Sequence, residues 1–175
     1  LKYGLYSDYG THKDVLTDLV LFKNTEGKYV SFKEYTSAMT EEQKFIYYAS
    51  GETAARINML PQVEAVKSRG YEVLCLTDDV DEFAIKMLGK YGDYEFKSVT
   101  AEALDLAGED EKKSAEKATE DTKEMLDFMK ESIGDVSAVK FSANLTKHPV
   151  CLSSEGELSV EMEKVLKRMP GAEGA

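Results

Sequence analysis

The chain has 175 residues, 42% of them hydrophobic, and a formal net charge of −11. That length admits one ordinary domain or two small ones with a genuine core, while the acidic balance repels phosphate backbones and anionic lipid heads; no basic patch in the sequence offsets it, so neither nucleic acid nor membrane is expected as a partner. The longest apolar stretches, such as VLTDLVLF and EVLCLT, fall far short of the roughly 20 residues of a membrane span, and no signal peptide is visible.

Residues 11–22, THKDVLTDLVLF, carry Thr11 and Asp14 at capping-box spacing, followed by Val15, Leu16, Leu19 and Phe22 on one helical face. SFKEYTSAM repeats the pattern with Ser31 and Glu34 as the box and Phe32, Tyr35 and Met39 pointing inward, so both segments are predicted as connector helices. The period then changes. FIYYA (45–49) is a continuous aromatic and β-branched run, predicted as a buried strand ended by Gly51. TAARINML follows with Thr53 as N-cap, Pro61 starts a second helix, QVEAVKSR, and Gly70 terminates it. YEVLCLT (71–77) is a second buried strand, DEFAIKMLGKY (81–91) is helical, and EFKSV (95–99) is a third, more exposed strand. The order is that of a small βαβαβ parallel sheet.

Residues 105–120, DLAGEDEKKSAEKATE, mix both signs of charge with almost no large apolar residues, which suits a solvated linker or a helix start and places the domain boundary here. TKEMLDFMKESIG then puts Met125, Leu126, Met129 and Ile133 on one helical face, VKFSANL (139–145) alternates as a half-buried strand does, and VCL is expected to return as its partner. A last helical stripe comprises Leu158, Met162, Val165, Leu166 and Met169 and ends at Pro170. The chain starts at Leu1 inside a structured-looking segment and stops at PGAEGA just after this helix, so an excised piece of a longer protein is expected. Cys75 and Cys151 lie in separate apolar contexts with no metal or redox spacing and read as reduced core residues of a cytoplasmic protein.

Four acids, Asp78, Asp79, Asp81 and Glu82, follow the second buried strand directly. Ligands of open α/β sheets gather beyond the carboxyl ends of strands, so Asp78 and Asp79 holding Mg²⁺ in a small nucleotide or phosphoryl-transfer domain is one physical possibility. The other is scaffolding, in which these acids cap and solvate a helix N-terminus. No partner lysine, histidine or glycine-rich loop supports the catalytic version. ASGETAA (49–55) lacks both phosphate-loop patterns, His12 and His148 have no ligand-spaced neighbours, and no serine lies in a nucleophile elbow, so no catalytic residue, metal or cofactor site is assigned. The methionine-bearing stripe around Met162 reads either as core or as a surface that adapts to varied apolar partners.

IYYASGE, GYEVLCLTDDVDEFAI and SVEMEKVLKRM, with LKYG at the start, SVT before the acidic segment and LTKHPVCLSS after it, together resemble the heat-shock protein 90 family, most closely its bacterial members. The resemblance implies a fold of mixed class, α/β and α+β: residues 1–40 as a helical connector of the middle domain, 41–105 as its small three-layer αβα subdomain, 106–120 as a charged linker, and 121–175 as the start of a separate α+β C-terminal domain. It implies an ATP-dependent, cytoplasmic, homodimeric chaperone that binds partly folded client proteins under stress. The nucleotide pocket, the arginine that reaches the γ-phosphate and the dimerisation helices lie outside this segment, so the resemblance implies neither enzyme activity nor ATP and Mg binding by these residues. The D-E-aromatic step maps onto Asp81, Glu82 and Phe83. Glu82 and Phe83 are thereby implied as client-binding, with Leu158, Met162, Val165 and Leu166 from the amphipathic helix; Met169 is added by helical spacing.

Overall fold

A computed structural model describes residues 1–7, 9–101, 104, 106, 108–145, 147–154 and 159–168. Helices α1 (Lys2–Ser7) and α2 (Lys13–Leu16) lead into strands β1 (Leu21–Asn24) and β2 (Tyr29–Ser31), then helix α3 (Phe32–Ser37). Strand β3 (Phe45–Ser50), helices α4 (Ala54–Asn58) and α5 (Pro61–Ser68), strand β4 (Val73–Leu76), helix α6 (Asp81–Leu88) and strands β5 (Lys90–Tyr91) and β6 (Tyr94–Ser98) follow. Helices α7 (Glu109–Asp121), α8 (Lys123–Ile133) and α9 (Val160–Arg168) make up the rest.

The strands form one mixed sheet in the order β2-β1-β4-β3-β6-β5. Its centre is the expected parallel trio, β3 pairing with β4 on one side and β6 on the other. β1 extends it antiparallel to β4, β2 pairs with β1, and β5 pairs with β6. Because helices cover both faces, β3 and β4 must be apolar on both sides, which is why they read as unbroken apolar runs. Ile46, Tyr48, Leu74 and Leu76 enter one core with Leu5, Phe32, Ile85 and Leu88. Tyr47, Ala49, Val73 and Cys75 enter the other with Ile57, Val63 and Val66. Burial pushes the Cys75 thiol up to about 11, which keeps it protonated and unreactive.

Local signals place several helices as expected. The Ser31 hydroxyl accepts from the Glu34 N–H while Glu34 accepts from the Ser31 N–H. Thr53 caps α4, Pro61 opens α5, and Gly70 leaves it at a φ of +79°.

The start of the chain differs from the sequence reading. The helix predicted over 11–22 shrinks to α2, capped at His12 rather than Thr11, and Phe22 belongs to a strand. The turn at Gly27 (φ +79°) folds β2 back onto β1, so the connector adds two strands to the sheet. Residues 109–121 form a helix, the second of the two readings left open for the charged segment, with the Gly108 N–H donating to Glu111. Residues 139–145 and 150–152 form no ladder among the described residues; the pairing near them is an isolated bridge between Ala101 and Ser154. Alternation defines the two faces of a strand but supplies no neighbour for its backbone donors and acceptors.

Candidate functional site

The parallel strands β3 and β4 end side by side at Ser50 and Leu76. β4 turns through Thr77 into α6, and the N–H groups exposed there need acceptors. Asp81 supplies them, its Oδ2 accepting from Thr77 and Asp78 at 3.1 and 3.2 Å. Its Oδ1 lies 2.6 Å from the Lys2 ammonium, which also sits 4.2 Å above the Phe22 ring. Asp81 is only 1% exposed. Burial raises its carboxyl above the ordinary aspartate value even though Lys2 pulls the other way.

The expectation that Asp78 and Asp79 cap this helix is corrected: the N-cap is Val80, which makes no side-chain cap bond, and Asp81, in the first turn, serves the N–H groups of the preceding loop. Asp78 and Asp79 are exposed, and the cation near Asp78 is Lys2, at 3.8 Å. Among the described residues no group of three or more His, Cys, Asp or Glu is placed to hold a metal ion. The cleft at these strand ends measures about 60 Å³ and is roofed by α9. At that size it has room for a few waters.

Glu82 turns inward. It is 5% exposed, and its Oε2 accepts from Ser50 Oγ at 2.7 Å and from Ser159 Oγ at 2.5 Å. Ser159 accepts in turn from the Met162 N–H at 3.1 Å, which caps the first turn of α9. The Glu82 charge adds to the effect of burial in holding the nearby Tyr48 phenol protonated. Met162, 6% exposed, lies in the cleft beneath α9 with Leu76 and Thr77. The client-facing role implied for Glu82 would turn it outward and is corrected to a buried position, and Met162 takes the core side of the two readings left open for its stripe. A carboxylate with two hydroxyl donors can be buried, and a thioether gains from leaving water.

Phe83 is half-buried, its ring 5.2 Å from that of Tyr6. Val165 and Leu166 are half-buried on α9. Leu158 and Met169 lie outside the described residues. The structure thus brings Glu82 and Met162 together at the strand ends and seats Phe83 against α1. Sequence reasoning missed Ser50, Ser159 and Tyr6. Only Ser159 had a local signal, a serine placed three residues before an apolar position of a helical stripe; the other two act across the fold.

A second polar seam joins the C-terminal segment to α5. Gln62 Nε2 donates to the Leu152 carbonyl at 2.7 Å, and Glu64 meets Lys147 at 2.6 Å and His148 at 3.4 Å. Ser154 N–H donates to the Thr100 carbonyl at 3.0 Å. These contacts fix residues 147–154 against the sheet unit independently of Glu82.

A six-stranded mixed sheet between helix layers, with a helix rather than a phosphate loop over its strand ends, defines a three-layer α/β module. The family described as Hsp90 protein matches residues 1–173, and the chain belongs to that family. It is 57% identical over 172 residues to the chaperone protein HtpG of Clostridium acetobutylicum and to that of Natranaerobius thermophilus, covering 97% of this chain and 27% of each relative. It is 52% identical to the HtpG of Clostridium perfringens, covering 99% of this chain and 28% of that protein. The chain thus spans about a quarter of the length of the curated relatives it matches. Among solved structures it is similar to the middle domain of a Plasmodium falciparum heat shock protein, with a TM-score of 0.50 and 32% identity over 56% of this chain and 43% of that one.

Proposed function

We propose that this chain is the client-contacting middle-to-C-terminal portion of an Hsp90-type molecular chaperone, and that Phe83 on α6 and the apolar side of α9 are the residues that meet partly folded protein. The observation that carries this reading is the 57% identity, across 97% of the chain, to proteins named as HtpG chaperones. One feature of the structure supports it: Phe83 and Leu166 keep part of their apolar surface accessible, which suits weak contact with many different polypeptides. ATP turnover and dimerisation are assigned to parts of the longer protein outside residues 1–175, and the whole protein to the cytoplasm. The free, buried Cys75 fits a reducing compartment, and no helix among the described residues is long and apolar enough to cross a membrane.

The test is saturable binding of a reduced, carboxymethylated, permanently unfolded protein, followed by fluorescence anisotropy. Phe83→Ser and Leu166→Ser should each weaken it several-fold, the scale of one truncated apolar contact of about 1 kcal/mol, with little change in melting temperature. Absence of saturable binding, or affinity indifferent to both substitutions, would overturn the proposal.

A further inference from the structure

Glu82 belongs to neither half of the molecule alone. One of its oxygens receives a hydroxyl from the end of β3 and another from the residue that caps α9, 77 positions further along the chain. The path Ser50–Glu82–Ser159–Met162 therefore ties the sheet to the first turn of α9 through a single buried carboxylate. We infer that this path is a latch: bonded to Ser159, Glu82 holds α9 across the carboxyl ends of β3 and β4 with Met162 covered, and breaking that bond lets α9 lift and expose Met162, Val165 and Leu166 together.

Three features make the linkage suited to opening. A charge-assisted hydrogen bond is strong in a dry site, yet an ionised carboxylate regains much of that energy when water reaches it, so the open state is not prohibitively costly. The ion pairs Lys164–Glu161 and Lys167–Glu163 are internal to α9 and travel with it. The seam through Gln62, Glu64 and Thr100 keeps residues 147–154 anchored meanwhile, which confines the movement to α9. The consequence for client capture rests on the function proposed above, because only there does an uncovered Met162 have a partner; the latch itself does not depend on that reading.

The experiment follows Met162 directly in the intact chain. Methionine sulfoxide formation in dilute hydrogen peroxide is read by peptide mass spectrometry, with Met59, which is 76% exposed, as the internal reference. Hydrogen exchange of the α9 amides is read in parallel. Ser159→Ala and Glu82→Gln should each accelerate Met162 oxidation about tenfold, the scale of one hydrogen bond to a charged group, and leave Met59 oxidation and the exchange of β3 and β4 unchanged. Glu82→Gln retains the Ser159 cap on α9, so acceleration in that variant reports release of the helix and not its fraying. Ser159→Thr, which keeps the hydroxyl, should restore the slow rate. Met162 oxidation within twofold of the parent in both Ser159→Ala and Glu82→Gln would overturn the latch. The affinity of Ser159→Ala for the unfolded probe separates the two ideas: faster oxidation with tighter binding supports both, and faster oxidation with unchanged binding upholds the latch while removing the client role of α9.

Discussion

In the sheet, β3 and β4 send alternate side chains into two cores, and Ile46, Ala49, Val73 and Leu74 all reach 0% exposure. In α8, by contrast, Leu126 is buried while Met125, Phe128, Met129 and Ile133 stand in water, Phe128 at 68% exposure. The first region closes its own core between two helix layers. The segment after residue 108 buries little and is tied to the first by polar bridges from Lys147, Leu152 and Ser159 to Glu64, Gln62 and Glu82. Stability is therefore concentrated in the sheet unit, and the conformation of the C-terminal helices depends on what they touch.

The strongest way to break that contrast is to damage the sheet. Phe32 lies 5.1 to 5.3 Å from the rings of Phe22, Tyr91 and Phe96, so it joins β1 to β5 and β6 on the other side of the central strands. Phe32→Ala should cost about 3 to 5 kcal/mol, seen as a lower urea midpoint for the sheet. Hydrogen exchange of the α7 and α8 amides should stay at the parent rate; if it rises in step with that of the sheet, the two regions are one cooperative unit.

Next in size is Lys2→Met, which leaves Asp81 buried without its cation and should cost about 3 kcal/mol near neutral pH. The pH dependence has a definite sign. Burial raises the folded Asp81 carboxyl above its unfolded value of about 3.9, so the folded chain binds the proton more tightly than the unfolded one. Stability from this group is greatest below the unfolded value and falls as pH rises through the folded one. Removing Lys2 raises the folded value further and extends the loss to higher pH. Urea midpoints of variant and parent should therefore converge as pH is lowered from 7 toward 4; a gap constant with pH would detach Asp81 from the effect.

Gly51→Ala probes the strand ends. A Cβ there would approach Ile57 Cγ1 to 2.8 Å, and since Ile57 is itself buried the clash should cost about 1 to 2 kcal/mol, again as a shifted urea midpoint. In an Ile57→Ala background, where Cγ1 is absent, the same substitution should cost little.

Much of this architecture was legible in the sequence, and the exceptions share a cause. FIYYA and EVLCLT are doubly buried strands, and a continuous apolar run of that length announces one. Ser31 with Glu34, Thr53 and Pro61 are local devices whose partners lie within four residues, so spacing alone finds them. Leu21–Asn24 was hidden because Val15, Leu16, Leu19 and Phe22 also satisfy a helical face; what decides is β1 pairing with β4, fifty residues away, which no local window contains. The α8 stripe shows the same limit from the other side, since periodicity marks an apolar face without saying whether anything covers it. At the strand ends, four adjacent acids read as solvated helix caps. Asp81 and Glu82 are buried instead, because Lys2, Ser50 and Ser159 arrive from distant parts of the chain to satisfy them.

The smallest effect is expected at the α5 seam, and there the distinction between global and local stability is sharpest. Glu64 is held below the ordinary glutamate value mainly by its hydrogen bond from Lys147, an exposed pair of the kind that adds little to global stability and is screened by salt. Glu64→Gln should leave the urea midpoint of the sheet unchanged while quickening protease cleavage within residues 147–152, which the Gln62 bond to Leu152 also ties to α5. Because the folded value is lowered, the contribution is present above the unfolded value of about 4.3 and disappears as pH falls through the folded one. Cleavage rates of parent and variant, compared with an acid-active protease, should differ at pH 6 and coincide once Glu64 is protonated; high salt at pH 6 should also bring them together. A matching fall in the sheet midpoint would mean that residues 147–154 are part of the sheet's cooperative unit, and the boundary between a self-sufficient core and dependent helices would have to move past them.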